Sequence, residues 1–180
     1  FSLEDFQFFA TPNDPDRNAN RIIIPYTFKG KTVGYISRYL DNHIPKYIKN
    51  QQIGYVFGYD QQVFEREVCL VFEGTFDALT LGGCAIAHDT ISDEQADLLK
   101  SLRKQIIVVP DMDKAGFGII DRALELGFQV SIPIWGPDIK DANDAVLKYG
   151  RLPTLLSILQ NATSSKIKLQ MTRAKIDKRI

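Results

Sequence analysis

The sequence predicts an α/β protein built around a parallel sheet, and three observations support this prediction. Four short apolar runs rich in β-branched residues alternate with helical patterns between residues 67 and 150, which is typical of strands joined by helical crossovers. The first run, Val68–Phe72, is continuously apolar, as expected of a strand buried on both faces of a sheet. The composition of the 180 residues, with 44% hydrophobic and 24% charged residues, is that of a globular protein.

The composition also excludes several classes of protein. It does not fit a disordered tail, a collagen or a coiled coil, and no apolar run approaches the ~18 residues that a membrane-spanning helix needs. Two cysteines and two histidines are too few for a disulfide framework or a convincing zinc module. We therefore expect a cytoplasmic protein, without zinc in this chain and without a membrane partner. Because the first residue is Phe1 rather than Met, we expect the chain to be part of a longer protein.

Residues 1–66 are predicted to form a small mixed α/β subdomain. Ser2 stands before a short helical pattern that carries Phe6 and Phe9, and the stretch from 11 to 20, rich in Pro, Asn and Asp, predicts a loop. Alternating apolar residues around a Lys-Gly-Lys turn then predict a β-hairpin. The remaining expectations are hairpin strands at 22–26 and 32–39, irregular structure at 43–52 and a short strand at 55–57.

Residues 67–150 are predicted to hold the parallel sheet and its helices, and residues 151–180 a helical, basic C-terminal segment. Ser92 with Gln95 three residues later has the spacing of a capping box at a helix start. Gly127 and Gly150 are placed to end helices. The expected strands are 68–72, 84–87, 106–109 and 128–132, and the expected helices are 75–81, a segment after 92, 115–126 and 141–149.

The net charge of zero hides an uneven distribution of charge. Residues 1–14 carry three acids and no bases (−3), and residues 15–66 carry eight bases and four acids (+4). Residues 67–150 carry seven bases and fourteen acids (−7), whereas residues 151–180 carry seven bases and one acid (+6). An acidic block therefore lies between two basic ones, which is compatible with a nucleic-acid partner in spite of the zero total.

Carboxylates follow three strands of the predicted sheet. Glu73 comes after the first strand, Asp111 and Asp113 after the third, and Asp141 follows the fourth after a loop. Ligands bind beyond the carboxyl ends of parallel strands, and crowded carboxylates repel one another unless a cation neutralises them. Hard oxygen donors favour Mg²⁺ or Mn²⁺, and a pair of such ions can clamp the two oxygens of a phosphoryl transfer. Gly74 and Gly116 would let the backbone approach a ligand closely.

These residues resemble the Toprim family. Glu73-Gly74-Thr75-Phe76-Asp77 is similar to its E-G-x-x-D motif, and Asp111-Met112-Asp113-Lys114-Ala115-Gly116 to its D-x-D motif in the form D-x-D-x-A-G. The family occurs in primases, type IA and type II topoisomerases, and some nucleases and recombination proteins. The resemblance implies that Glu73, Asp111 and Asp113 are the metal and catalytic acids, with Gly74, Asp77 and Gly116 supporting the motifs. Asp141 and Asn143 fall on further metal positions, and two or more ions are expected.

The segment before the acidic block narrows the resemblance to primases. Arg21 to Pro25, Gly34 to Arg38 and Pro45 to Asn50 are similar to the region before Toprim in bacterial and phage primases, and Lys140-Asp141-Ala142-Asn143-Asp144 is similar to a stretch of phage helicase-primases. The likeness covers roughly residues 15–150, and we expect the phage type to be closest. It implies that nucleotides or nucleic acid contact Arg21, Arg38, Lys46, Lys49 and Asn50.

The resemblance implies a DNA primase core that makes RNA primers from ribonucleoside triphosphates on single-stranded DNA, in a bacterial or phage-infected cell. The template is expected between the basic subdomain and the Toprim domain, and a replicative helicase, fused or separate, is an expected partner. Glu73 is expected to bind a second metal or to help deprotonate the attacking hydroxyl. Two alternatives remain open: a Toprim nuclease or topoisomerase fragment, and a non-catalytic module that binds nucleic acid or docks a helicase.

Overall fold

The computed structural model describes residues 6–11, 20–41, 44–62, 65–113 and 118–177. The chain divides into two compact units, Phe1–Tyr55 and Val56–Ile180. This division precedes the predicted domain boundary after residue 66, because Phe57 forms an antiparallel bridge with Ala85 inside the second unit.

The first unit is a four-stranded antiparallel sheet in the order β1-β2-β3-β4. The predicted hairpin is confirmed, and its strands are joined by Lys29 and Gly30, both at positive φ (50° and 73°). A turn of this kind suits the right-handed twist of the flanking strands. The strands are β1 (Phe9–Ala10), β2 (Arg21–Phe28), β3 (Lys31–Tyr39) and β4 (Tyr47–Asn50).

Two expectations for the first unit are wrong. Phe9 lies in a strand paired with Ile23 rather than in a helix, and the stretch predicted to be irregular contains the edge strand β4. Main-chain pairing with β3 makes β4 a strand although only Ile48 among its four residues is buried. The described part of this unit holds strands and no helix. The expected helix start at Ser2 and most of the expected loop, residues 12–19, lie outside the described residues.

The second unit contains a five-stranded sheet in the order β6-β5-β7-β8-β9. The four strands predicted to be parallel are confirmed, and β9 adds an unpredicted antiparallel edge to β8. β5 and β7 lie in register along their whole length, from Val68 opposite Gln105 to Phe72 opposite Val109. The strands are β5 (Val68–Phe72), β6 (Cys84–Ala85), β7 (Gln105–Val109), β8 (Gln129–Ser131) and β9 (Ala162–Thr163).

Six helices accompany this sheet in the described part of the unit. The Ser92 side chain accepts a hydrogen bond from the Gln95 backbone and the Gln95 side chain accepts one from Ser92, so the predicted capping box is confirmed. The C-terminal segment forms two helices separated by β9. The helices are α1 (Thr75–Leu81), α2 (Asp93–Ser101), α3 (Gly118–Glu125), α4 (Ala142–Tyr149), α5 (Arg151–Asn161) and α6 (Lys166–Asp177).

The core of the second unit lies around the parallel strands, whose apolar residues are almost wholly buried. Cys69 and Cys84 belong to neighbouring strands and are free, buried thiols with their sulfur atoms 3.6 Å apart. They are therefore core residues, as their spacing in the sequence predicts. None of the helices within the described ranges combines the length and the hydropathy needed to cross a membrane.

Candidate active site

The ends of β5 and β7 bring two of the predicted acids together. Glu73 directly follows β5, and Asp111 follows β7 after Pro110. Because the two strands are adjacent, parallel and in register, both residues leave the sheet at the same edge. The backbone N–H of Asp111 donates a hydrogen bond of 3.1 Å to Oε1 of Glu73. The two motifs that are far apart in sequence are thus linked by a direct contact.

The loop after β7 is attached to the segment before α4. Met112, the residue between Asp111 and Asp113 in sequence, is buried. Its backbone N–H donates a hydrogen bond to the Lys140 carbonyl oxygen at 2.8 Å. The Lys140 ammonium lies 3.0 Å from Oδ2 of Asp113, with both side chains partly exposed. Met112 is therefore buried, whereas Asp111 and Asp113 on either side of it are partly exposed.

Asp77 joins the first turn of α1 to the start of α4. Its side chain is only 7% exposed, and Oδ1 accepts the backbone N–H of Asn143 at 2.8 Å. Gly74 provides the space for this arrangement, because a Cβ at that position would stand 2.4 Å from Oδ2 of Asp77. The φ of Gly74 is −89°, which any residue adopts, so glycine is needed here for room and not for backbone freedom.

Asp141 and Asn143 both have structural roles at the start of α4. Asp141 is the N-cap of the helix, with Oδ1 accepting the backbone N–H of Asp144 at 2.8 Å. The side-chain oxygen of Asn143 contacts the Thr80 hydroxyl on α1 at 3.0 Å. These contacts fix both residues near Asp77, and each occupies one lone pair of an oxygen that was predicted to bind metal.

The acids of this region perturb one another. Partial burial, together with the charges of Asp111 and Asp113, raises the pKa of Glu73 from 4.5 to about 7 against the opposing effect of the Asp111 N–H. Burial and the charge of Asp141 likewise raise the pKa of Asp111 to about 6, although the positive charge of Lys140 opposes this shift. The same two causes raise the pKa of Asp77 to about 7. Burial first, and neighbouring negative charges second, therefore disfavour the charged form of these carboxyl groups unless a proton or a cation is present.

A hard divalent cation fits the chemistry of this donor set. The donors are carboxylate oxygens, which Mg²⁺ and Mn²⁺ prefer, and their mutual repulsion is what a cation would relieve. Within the described ranges, however, no three His, Cys, Asp or Glu side chains converge in a group ready to hold a metal ion. Glu73, Asp111 and Asp113 would have to turn toward a common point to do so.

Three of the five predicted contacts to nucleotide or nucleic acid share a surface in the first unit. The register pairs Arg38 with Tyr47 and Ile36 with Lys49, so Arg38, Tyr47 and Lys49 lie on one face of the sheet. The cationic groups of Arg38 and of Lys46, the residue before β4, each lie 5.6 Å from the centroid of the Tyr47 ring. We call Arg38, Lys46, Tyr47 and Lys49 the basic face.

Asn50 and Arg21 do not belong to the basic face. Asn50 pairs with Tyr35 and therefore points to the opposite side of the sheet. Arg21 is fully buried, and its guanidinium donates hydrogen bonds to backbone carbonyl oxygens. The expectation that Arg21 contacts a nucleotide or nucleic acid is therefore wrong, because burial places its charge inside the unit.

Two further residues complete the comparison with the sequence. Gly116 lies outside the described residues, so its predicted support of the D-x-D motif is a prediction still. Lys140 is not among the site residues that the sequence predicts, although its ammonium contacts Asp113. The available signal was its position, directly before Asp141 in the stretch that resembles helicase-primases.

Comparisons with known proteins agree with these motifs. Residues 70–146 match the family model described as Toprim-like. The chain is 28% identical over 168 residues to a DNA primase of Clostridium acetobutylicum, covering 83% of this chain and 28% of that protein. It is 30% identical over 186 residues to a DNA primase of Buchnera aphidicola, covering 90% of this chain and 32% of that protein. The chain thus spans about a third or less of the length of these relatives.

Solved structures show the same fold. The catalytic domain of a DnaG primase bound to single-stranded DNA matches with a TM-score of 0.71 and 23% identity, covering 93% of this chain and 60% of that one. The Escherichia coli primase catalytic core matches with a TM-score of 0.67 and 24% identity, covering 87% and 57%. The predicted closer likeness to phage helicase-primases stays a prediction. The chain therefore contains a Toprim-like domain and is similar, over most of its length, to the bacterial type of DNA primase.

Proposed function

We propose that this chain is the catalytic core of a DNA primase, which synthesises short RNA primers on single-stranded DNA by metal-dependent nucleotidyl transfer. The observation that supports this most directly is the pairing of two Toprim motifs at one sheet edge, where the Asp111 N–H donates to the Glu73 carboxylate. The similarity to bacterial DNA primases supplies the reaction class. A cytoplasmic location follows from that proposal.

The acidic edge is proposed to hold the divalent ions. Glu73, Asp111 and Asp113 would bind Mg²⁺ or Mn²⁺, with Asp141 and Asn143 as further oxygen donors. When bound, the ions supply charge neutralisation for a triphosphate and stabilise the developing charge of a phosphoryl transfer. Catalysis of this kind depends mainly on positioning and on electrostatic stabilisation.

The residues of the site have separate tasks in this proposal. Glu73, which directly follows β5 and accepts the Asp111 N–H, would bind a second ion or help to deprotonate the attacking hydroxyl. Lys140 holds Asp113 and offsets part of the negative charge of Asp111. Asp77 keeps α4, and with it Asp141, in place through the Asn143 backbone. Lys140 and Asp77 are therefore positioning residues, whereas Glu73 would act directly on an ion or on the proton of the attacking hydroxyl.

The basic face is proposed to bind the phosphates of the DNA template or of the incoming nucleotide. Arg38, Lys46 and Lys49 supply positive charge, and the exposed Tyr47 ring, 5.6 Å from the cationic groups of Arg38 and Lys46, is an aromatic group on which a base can stack. Ribonucleoside triphosphates, the RNA primer and a replicative helicase are the other partners that this function requires.

Template-dependent incorporation of labelled ribonucleotides tests the proposal. The chain is assayed alone and joined to a primase zinc module, with Mg²⁺ or Mn²⁺ and single-stranded DNA. Asp111→Asn should abolish primer synthesis and preserve DNA binding. Asp138→Asn makes the same change of charge in an exposed loop of the same unit and should leave synthesis unchanged.

Other outcomes would contradict the proposal. Cutting of DNA without primer synthesis would identify a Toprim nuclease instead. Binding of DNA with neither activity would identify a non-catalytic module, and full primer synthesis by Asp111→Asn would refute the assignment of the acidic edge. Calorimetric titration with Mn²⁺ gives a second readout, since Asp111→Asn should weaken metal binding and Asp138→Asn should not.

A further inference from the structure

Arg21 is a fully buried arginine in a unit of only about fifty residues. Its burial is explained by the backbone carbonyl oxygens that accept hydrogen bonds from its guanidinium. One terminal nitrogen donates to the carbonyl oxygens of Ser37 (3.2 Å) and Lys46 (3.3 Å). The other donates to the carbonyl oxygen of Pro45 at 2.5 Å. Removing a guanidinium from water is costly unless such acceptors satisfy it, so these bonds stabilise one arrangement of the chain around it.

The acceptors belong to two segments that are separate in sequence. Ser37 lies in β3, two residues before its end, whereas Pro45 and Lys46 form the turn that leads into β4. The guanidinium carbon of Arg21 also lies 3.7 Å from the centroid of the Tyr39 ring, and this cation–π contact helps to fix the orientation of the guanidinium. Arg21 therefore joins the β4 entry turn to β3 from the side of the sheet opposite to Arg38.

The β4 entry turn determines where part of the basic face lies. Lys46 is the last residue of the turn and Tyr47 is the first residue of β4, paired with Arg38. The strand itself has four residues and buries only Ile48, so side-chain packing gives it little support. The Lys46 carbonyl oxygen accepts from both the Tyr39 backbone and Arg21, so the turn is held at the residue that carries the exposed cation.

We propose that Arg21 is a positioning residue that holds the Pro45-Lys46 turn against β3 and so places Lys46 and Tyr47 beside Arg38 for binding single-stranded DNA. This inference rests on the proposed role of the basic face. Arg21 acts through backbone carbonyl oxygens and does not contact the nucleic acid. Its removal should reproduce the loss of Lys46 from the binding surface.

The first experiment is a double-mutant cycle on DNA affinity. Binding of a fluorescein-labelled oligothymidylate to the full chain is measured by anisotropy over a range of salt concentrations. Loss of one phosphate contact lowers the steepness of the log–log salt dependence by about 0.7 on single strands. Lys46→Ala and Arg21→Met should each show this decrease, and the double variant should show no further one. Lys31→Met, which removes an exposed cation at the start of β3, is the control for general charge.

The second experiment reports on the turn without DNA. Hydrogen exchange of the 44–50 segment should be at least severalfold faster in folded Arg21→Met than in the unmodified chain, because the turn loses its attachment. Lys46→Ala and Lys31→Met should leave that exchange unchanged. If Arg21→Met fails to fold, Tyr39→Leu, which keeps the charge but removes the ring beneath the guanidinium, should show the same acceleration to a smaller degree.

The outcomes distinguish the binding of DNA by the basic face from the positioning of the Pro45-Lys46 turn by Arg21. If Lys46→Ala has no effect on DNA binding, the proposed basic face is wrong, and with it the link between Arg21 and DNA. Faster hydrogen exchange in Arg21→Met would in that case still show that the turn depends on Arg21. Additive losses in the cycle would refute that link too. Unchanged exchange of the 44–50 segment in a folded Arg21 or Tyr39 variant would overturn the positioning role itself.

Discussion

Replacing Gly74 with alanine tests the close packing between the start of α1 and Asp77. The new Cβ would stand 2.4 Å from Oδ2 of Asp77, whereas real Cβ contacts essentially never fall below 3.0 Å, so the two atoms must separate by about 0.6 Å. Asp77 is nearly buried and is held by the Asn143 N–H, so it cannot swing aside freely. Either the start of α1 or the Asp77 carboxylate has to move.

The size of the effect follows from that geometry. Crowding in a well-packed region costs about 1–3 kcal/mol, and loss of a hydrogen bond to a charged group costs about 1.5–3 kcal/mol. Alanine also lowers the conformational entropy of the unfolded chain, which stabilises the native state by about 0.4–1 kcal/mol and offsets part of this cost. Because either the crowding remains or the hydrogen bond is lost, we expect Gly74→Ala to lower the free energy of unfolding by about 0.5–2.5 kcal/mol, which lowers the melting temperature of a chain this long by about 1–10 °C.

Thermal unfolding followed by circular dichroism measures this loss. Gly118→Ala is the matched control, because a Cβ there meets no atom within 4 Å and its position in α3 favours alanine. That variant should be as stable as the unmodified chain or slightly more so. In an Asp77→Ala background the obstructing oxygen is absent, and Gly74→Ala should lose less than half of its cost. Equal melting temperatures for Gly74→Ala and Gly118→Ala, or an undiminished cost without Asp77, would refute the packing argument.

Three further predictions follow from other parts of the chain. In the native state the pKa of Glu73 is raised to about 7 and that of Asp111 to about 6. The unfolded chain releases the same protons near the ordinary pKa values of 4.5 and 3.8. The free energy of unfolding should therefore fall as the pH rises from about 4 to about 7. In chelator, the melting temperature should therefore be lower at pH 7.5 than at about pH 5, and Glu73→Gln should reduce the difference; a rise with pH would contradict the burial of these acids. Ser92→Ala removes the capping box of α2 and should cost about 1 kcal/mol in chemical denaturation, whereas no loss would show that the cap is dispensable. Cys69 and Cys84 should resist a thiol reagent in the native chain and react only after unfolding, because both are buried and because the hydrogen bond with Cys69, together with burial, raises the pKa of Cys84. Rapid labelling of the native chain would refute this.

The parallel sheet could be predicted because its pattern is local. Val68–Phe72 and Gln105–Val109 are apolar runs of strand length, and the capping box at Ser92 specifies where α2 begins. In β4 the pattern is missing, since three of its four residues are exposed and its strand conformation depends on the backbone of β3. β1 and β9 have two residues each, too few for any period to be detected, and Ser2 with Phe6 and Phe9 predicts a short helix where β1 lies.

The acids of the site could be predicted, whereas the directions of several polar side chains could not. Glu73 and Asp111 belong to motifs at strand ends, and the rules of parallel sheets bring strand ends together. Whether an arginine near a strand faces solvent or the interior depends on whether carbonyl oxygens in the interior can accept its hydrogen bonds. The acceptors of Arg21 lie 16 to 25 residues away in sequence. The contact of Lys140 with Asp113 depends in the same way on how two distant loops meet.

The edges of the parallel sheet are closed by very short antiparallel pieces. β9 runs along the outer side of β8, and Phe57 bridges to Ala85 in β6 at the other margin. An open sheet edge offers unpaired N–H and C=O groups to the strands of other molecules, so these pieces act against self-association. A shortened chain ending at Asn161 would retain every acid of the site and would nevertheless expose β8 to strand addition. Ala162 and Thr163 therefore cover the outer side of Val130 and Ser131 in β8, a task separate from that of the acids of the site.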